Sequence, residues 1–207
     1  MLGRMERRRH WNDVYSAKPL VAMSWFEVEP LTSLRLIQDA SPGAASAVLD
    51  IGAGGSTLVD ELIDRGATDV SLLDVAETAL DQVRTRLGAR ATEVTFINED
   101  VLTWAPARPY DVWHDRAVFH FLTERDAQDR YIDTAARAVR DGGVLVIATF
   151  AEDGPTHCSG LPVRRYSAAE LNERFSRSFS MVHEERQEHP TPGGAVQPFT
   201  WAVFRRQ

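Results

Sequence analysis

The stretch Val48-Leu-Asp-Ile-Gly-Ala-Gly-Gly-Ser56 constrains this chain most: an apolar run enters a cluster of glycines that opens onto a helical pattern. Glycine tolerates the left-handed backbone of a tight turn and lets another group approach the main chain, while the helix that follows presents free N–H donors at its start. Strand, glycine turn and helix in that order open a βαβ unit, and the residues downstream continue it. Residues 47–51 read as the first strand, and residues 56–65, with Leu58, Val59, Leu62 and Ile63 on one face, as a helix stopped by Gly66. Residues 70–73 are the second strand. Ala76, Ala79, Leu80, Val83 and Leu87 recur at helical spacing until Gly88, and residues 94–97 form the third strand. Residues 111–114 and 144–150 follow as the fourth and fifth, the latter apolar enough to be covered on both faces. Between them lie a helix through Tyr131, Ile132, Ala135 and Val139, capped by Thr123, and a turn at Asp141-Gly142-Gly143.

The flanks read differently. Residues 6–15 and 30–39 look helical around an aromatic segment at Met23-Ser-Trp-Phe26, so residues 1–45 are expected to be a lid beside the core of residues 46–150. In residues 151–207, Ser167 and Glu170 form a capping box, and extended runs at 178–185 and 198–204 flank a loop rich in Pro and Gly at 189–198. An antiparallel pair closing the sheet is the expectation, within one domain of 207 residues.

Composition limits the function classes. With 43% hydrophobic and 26% charged residues the chain is an ordinary globular protein, which excludes disorder as its main state. Asp and Glu number 30 against 23 Lys and Arg, and the net charge of −7 argues against nucleic acid or an anionic membrane as partner. Arg4, Arg7, Arg8 and Arg9 crowd the N-terminus, where a solvated, frayed segment is expected. No apolar run reaches the ~18 residues of a membrane span and no signal-peptide core is present, so a cytoplasmic location is expected. Cys158 is the sole cysteine, which excludes an internal disulfide and a four-cysteine zinc site, and no metal is expected.

Two carboxylates sharpen the glycine turn. Asp74, at the end of the second strand and 24 positions after Asp50, suits the acid that accepts both hydroxyls of a ribose in a nucleoside-binding doubly wound sheet. A dinucleotide fingerprint would need a third glycine where Thr57 stands, and Asp50 would repel a pyrophosphate there. An NAD-dependent oxidoreductase is therefore disfavoured. An acid beside the turn suits a cationic ligand, such as one carrying an amino group and a sulfonium.

From Val48 to Phe150 the sequence resembles the class I S-adenosylmethionine-dependent methyltransferases, whose first motif reads acid-x-Gly-x-Gly. The resemblance implies an α/β fold with a Rossmann-like sheet of seven strands, mostly parallel, helices on both faces, and an antiparallel C-terminal strand inserted between the fifth and sixth. It implies a methyltransferase with S-adenosylmethionine as cofactor and S-adenosylhomocysteine as product. Carried over, Asp50, Gly52, Ala53 and Gly54 shape the methionine pocket where Ser56 and Thr57 open the helix, Asp74 and Val75 hold the ribose, and Asp100 and Val101 flank the adenine. Ser56 stands where that motif usually has its third glycine.

Ligands in open α/β sheets sit at the carboxyl ends of the strands, so the loop from Trp113 to Leu122 faces the transferable methyl. Asp115 can accept a hydrogen bond from an amine or can pair with Arg116 or cap a helix. His120 can take a proton from a hydroxyl or thiol or can pack under the loop, and Phe119 and His120 are both expected on the substrate side. His114 reads as structural. Trp11, Tyr15 and Trp25, with Asp115-Arg116, resemble the lysine methyltransferases of citrate synthase and elongation factor 1A, which places them near the cofactor or the substrate mouth, where ring faces stabilise cations. Cys158, Arg164, Arg165 and Tyr166 follow the fifth strand on the same edge, and the arginines can bind a carboxylate. A small-molecule acceptor methylated on N, O or S is the leading expectation for a monomer or homodimer. Protein lysine comes second, and a non-catalytic S-adenosylmethionine-binding subunit is the reading from another class.

Overall fold

The computed structural model describes residues 2–40 and 43–207. Helix α1 (Arg4–Ala17) and α2 (Leu31–Ala40) precede strand β1 (Val48–Ile51), after which α3 (Leu58–Asp64), β2 (Val70–Leu73), α4 (Glu77–Leu87), β3 (Val94–Ile97) and β4 (Tyr110–Arg116) alternate. Helix α5 (Arg125–Ala138) leads into β5 (Val139–Phe150), a small hairpin of β6 (His157–Cys158) and β7 (Leu161–Pro162), α6 (Ala168–Phe175), β8 (Phe179–Pro190) and β9 (Val196–Arg206). Seven strands form one sheet in the order β3-β2-β1-β4-β5-β9-β8. Pairs from β3 to β5 are parallel, and β9 lies antiparallel between β5 and β8, as the resemblance implies.

Alternation along the strands sends side chains to two apolar layers. Leu49, Ile51, Trp113, Leu145 and Ile147 pack with Tyr131, Phe175 and Tyr166 on one face. Val48, Val112, Val144 and Val146 pack with Leu34, Ile37 and Leu58 on the other. A third, smaller cluster gathers Tyr15 and Met23 of the N-terminal segment against Ala76 and Ala79 at the start of α4. Each large side chain so buried contributes about 1.5–3 kcal/mol relative to exposure, so the lid is seated by its own apolar contacts.

Several boundaries differ from expectation for identifiable reasons. Helix α3 starts at Leu58 because residues 52–57 are consumed by the turn, in which Ser56 N–H bonds the Ala53 carbonyl. Strand β4 runs on through Asp115 and Arg116, which pair with Ile147 and Ala148 of β5 and so belong to the sheet rather than to a loop. The expected turn at Asp141-Gly142-Gly143 is absorbed into β5, where Gly142 adopts a φ of 71° beside an irregularity in the β4 register. Glu124, not Thr123, is the N-cap of α5. The C-terminal loop shrinks to residues 191–195, since Thr191 bonds Ala195 through both its backbone and its hydroxyl. Ser167 and Glu170 do form the capping box of α6.

The N-terminal arginines are not a frayed tail. Arg4 pairs with Glu99 at 2.9 Å, Arg7 with Asp100 at 2.6 Å, and Arg8 donates to the Asn98 carbonyl at 3.2 Å, so α1 is fastened along the exit of β3. Among the described residues no helix is long and apolar enough to cross a membrane.

Candidate active site

The carboxyl ends of β1 to β4 open under α1 into a cavity enclosing about 820 Å³ between its lining atoms, open mouth included. The strand order spreads its walls. Asp74 and Val75 leave β2, Glu99 to Leu102 leave β3, Arg7 descends from α1, and at the far end stand Arg116 to Val118 from β4 and Cys158 from the small hairpin. Trp11, Tyr15, Trp25 and Phe121 roof the space between. Trp11 stands edge-on to Trp25 (centroids 6.2 Å apart) and to Phe121 (5.1 Å), and Tyr15 edge-on to Trp25 (6.1 Å).

The glycine turn is built for close contact. Gly52 and Gly54 take φ values of 61° and 53°. A Cβ on Gly52 would overlap a methyl of Val118, and one on Gly54 would overlap the Tyr15 hydroxyl. Asp74 ties the turn to α4: its carboxylate accepts Gly54 N–H at 2.8 Å and Ala76 N–H at 2.7 Å. Burial pushes the Asp74 carboxyl up to about 6 against the pull of those two donors. Asp100 accepts the Leu102 N–H at 3.0 Å and both Nε and Nη2 of Arg7. A smaller adjoining cavity lies behind Tyr15 and Trp25, lined by Asp50, Ala53, Gly55, Ser56, His114 and again Arg116.

Arg116 closes the far end. Its Nη1 donates to the Trp25 carbonyl at 2.8 Å, and its Nη2 lies 3.3 Å from Glu27. Among the described residues Nε and Nη2 find no hydrogen-bond partner although both are buried. Burial lowers its pKa. Burial also raises the thiol pKa of Cys158, so the group beside Arg116 is a neutral thiol.

Other sequence candidates lie elsewhere. Asp115 is fully buried in the opposite layer, where its carboxylate accepts Val118 N–H at 2.7 Å, Phe119 N–H at 3.1 Å and the Tyr131 hydroxyl. It holds the loop after β4, in which Ala117 adopts a left-handed φ of 76° at the cavity wall. Burial raises its carboxyl to about 6. His120 is packed between Phe121 and Phe150, and burial together with the charge of Arg116 brings it down to about 3. Phe119 and Tyr166 pack into the core, Arg164 lies over Tyr166 and faces Glu170 at 3.9 Å, and Arg165 donates to the Gly154 carbonyl. None of these six lines the cavity. The hydroxyl of Thr57 is spent on the carbonyls of Glu27 and Val28. Sequence reasoning missed Arg7, Ala117, Val118 and Phe121 as wall residues. The arginine run was the available signal for the first.

Residues 48–143 match the family model described as a methyltransferase domain. That segment is similar to the class I S-adenosylmethionine-dependent methyltransferases. A trans-aconitate 2-methyltransferase of Rhizobium rhizogenes is 31% identical over 70% of this chain and 52% of its own length. An eEF1A lysine and N-terminal methyltransferase of mouse is 24% identical over 92% of this chain and 30% of its own length. The chain thus spans about half or less of these curated relatives. Among solved structures, the N-methyltransferase NodS of Bradyrhizobium japonicum in complex with S-adenosylhomocysteine superposes with a TM-score of 0.72 at 16% identity, over 95% of this chain and 98% of that one, and shows the same fold.

The residues present fit the family's cofactor. The wall offers a buried carboxylate at the β2 exit for the ribose and a glycine turn that any Cβ would obstruct. Asp50 and Asp74 lend a negative field suited to a cationic ligand.

Proposed function

We propose that this protein transfers a methyl group from S-adenosylmethionine to a small-molecule acceptor that carries a carboxylate. When bound, the cofactor supplies a methyl on a cationic sulfur, a leaving group that needs no protonation. Asp74 takes the ribose hydroxyls, Val75, Asp100 and Val101 flank the base, and Trp11, Tyr15, Trp25 and Phe121 exclude water while offering ring faces to the cationic centre.

One observation carries the acceptor class: among the described residues, the acceptor end of the cavity holds a cation and no usable base. Asp115 and His120 face away from it, Cys158 is a neutral thiol, and Arg116 is the charged group that lines it. A lysine or a hydroxyl must lose a proton before it can attack, whereas a carboxylate is nucleophilic as it stands at neutral pH. Arg116 can orient such an acid in line with the methyl group. The likeness to methyltransferases of trans-aconitate supports the same reading. A second reading, protein-lysine methylation, is favoured by the ring faces of Trp11, Tyr15 and Trp25 at the cavity and by the likeness to an eEF1A lysine and N-terminal methyltransferase. The reading also includes a cytoplasmic enzyme acting as monomer or homodimer.

Incubation with methyl-labelled S-adenosylmethionine and a panel of small carboxylic acids and lysine peptides tests the proposal. Label that alkali releases as methanol marks a methyl ester and supports it. Alkali-stable label on lysine would replace it with the second reading.

A further inference from the structure

Three polar side chains lie buried in the apolar layer between the sheet and α2: Ser33, His114 and Asp50, each at most 3% exposed. Ser33 Oγ is 3.0 Å from His114 Nε2, and His114 Nδ1 is 2.7 Å from Asp50 Oδ1. They connect α2, β4 and β1, with Asp50 and His114 directly paired across the strands. Around them the layer is apolar: Val112 and Val146 flank His114 along and across the strands, and the Trp201 ring lies 6.1 Å from it.

A valine at position 114, like its neighbours, would fill this layer without a polar group to satisfy. The chain of hydrogen bonds instead runs to Asp50, which lines the smaller cavity with Ala53, Gly55 and Ser56 of the glycine turn. A carboxylate only accepts, so Nδ1 carries the proton that it shares with Asp50, and in the neutral ring Nε2 accepts the Ser33 hydroxyl. Among the described residues no group donates to Asp50 Oδ2. The same order of groups serves nucleophilic serines in hydrolases. Here Ser33 and His114 stand at the wall of the smaller cavity, and Ser33, 1% exposed, spends its hydroxyl on His114 Nε2, so it anchors the ring.

We propose that Ser33 and His114 form a positioning relay that aims the Asp50 carboxylate at the cationic amino group of the methionine end of the cofactor. This rests on the methyltransferase reading above. His114 acts through Asp50 and is a positioning residue. Its effect is therefore confined to ligands that possess the amino-acid end.

Calorimetric titration with S-adenosylhomocysteine and with 5′-methylthioadenosine, which keeps the adenosine and the thioether but lacks that end, tests the relay. His114→Leu should weaken S-adenosylhomocysteine about tenfold or more, the scale of a lost hydrogen bond to a charged group, and leave methylthioadenosine within about twofold. His114→Asn, whose amide can still donate to Asp50, should recover most of the loss. Ser33→Ala removes only the anchor, keeps the assay informative if the leucine variant does not fold, and should lower S-adenosylhomocysteine affinity by about threefold, since a neutral hydrogen bond is worth less. Equal loss of both ligands, or no loss of either, overturns the relay. Failure of the wild type to bind either ligand overturns the cofactor reading and the relay with it, whereas intact wild-type binding with unselective variants overturns the relay alone.

Discussion

Protonating Asp74 should weaken the cofactor in a way that the structure quantifies. Its carboxyl is buried in the cavity wall and pushed up to about 6, because burial outweighs the two N–H donors that favour the charged form. Only the ionised carboxylate can accept both ribose hydroxyls, so each pH unit below about 6 costs affinity about tenfold, or about 1.4 kcal/mol. From about pH 7 to pH 5 the dissociation constant of S-adenosylhomocysteine should therefore rise about tenfold. The same displacement bears on stability. The folded value lies above the 3.8 of an ordinary aspartate, so between the two the folded chain binds more protons than the unfolded chain and loses stability as pH rises. Asp74→Asn cannot titrate, so in denaturant melts it should lack the loss of stability that the wild type shows between about pH 4 and pH 7, while its amide nitrogen, facing the N–H of Gly54 or Ala76, lowers its stability at every pH. Isothermal titrations across the range, in two buffers of different ionisation enthalpy, measure the affinity and the proton released. An affinity flat with pH, or an equal slope in Asp74→Asn, would refute the reasoning. Asp115 rises to the same range but faces the opposite layer, so a slope that survives the Asn variant would be its signature instead.

Gly54→Ala places a Cβ on the Tyr15 hydroxyl at a left-handed φ of 53°, and is expected to cost about 1–2 kcal/mol in a denaturant melt and to weaken S-adenosylhomocysteine. Unchanged affinity would mean that Tyr15 does not sit on the turn. Tyr131→Phe removes the hydroxyl that donates to Asp115 and accepts Trp113 Nε1 at 2.9 Å, so stability should fall by about 1–3 kcal/mol, with cofactor affinity retained. A thermal melt and a titration on the same sample read both. Arg116→Lys keeps the charge but loses the planar fork, and steady-state kinetics on a carboxylate acceptor should show KM raised about tenfold at nearly constant cofactor affinity. Loss confined to the cofactor would move Arg116 from the acceptor to the methionine end.

Strands β1 and β2 were legible because each is short, apolar and followed by a glycine or an acid, Gly52 after Ile51 and Asp74 after Leu73. The turn and Asp74 were legible for the same reason: a positive φ and a carboxylate at a strand end are local demands. Placement of the acceptor side was not. Asp115 and His120 sit in a polar-looking run, but β4 continues through Arg116, and strand alternation then sends Asp115 to the α5 layer and Arg116 to the cavity. That choice is made by pairing with β5, a partner some thirty residues away, and no local pattern reports it. Arg164 and Arg165 looked equally suited to an anion until the fold set them against Glu170 and Gly154 outside the cavity. His114 reads as structural from the sequence, and its bond to Asp50 depends on a neighbour 64 residues away.

The central claim is that the cavity across the β1 and β2 exits holds an adenosyl ligand through Asp74. Calorimetric titration with S-adenosylhomocysteine, with NADH run in parallel, tests it most directly. The account predicts one S-adenosylhomocysteine per chain, strongly weakened in Asp74→Ala, and no heat from NADH. A folded wild type that ignores S-adenosylhomocysteine, or that binds NADH in its place, would contradict it.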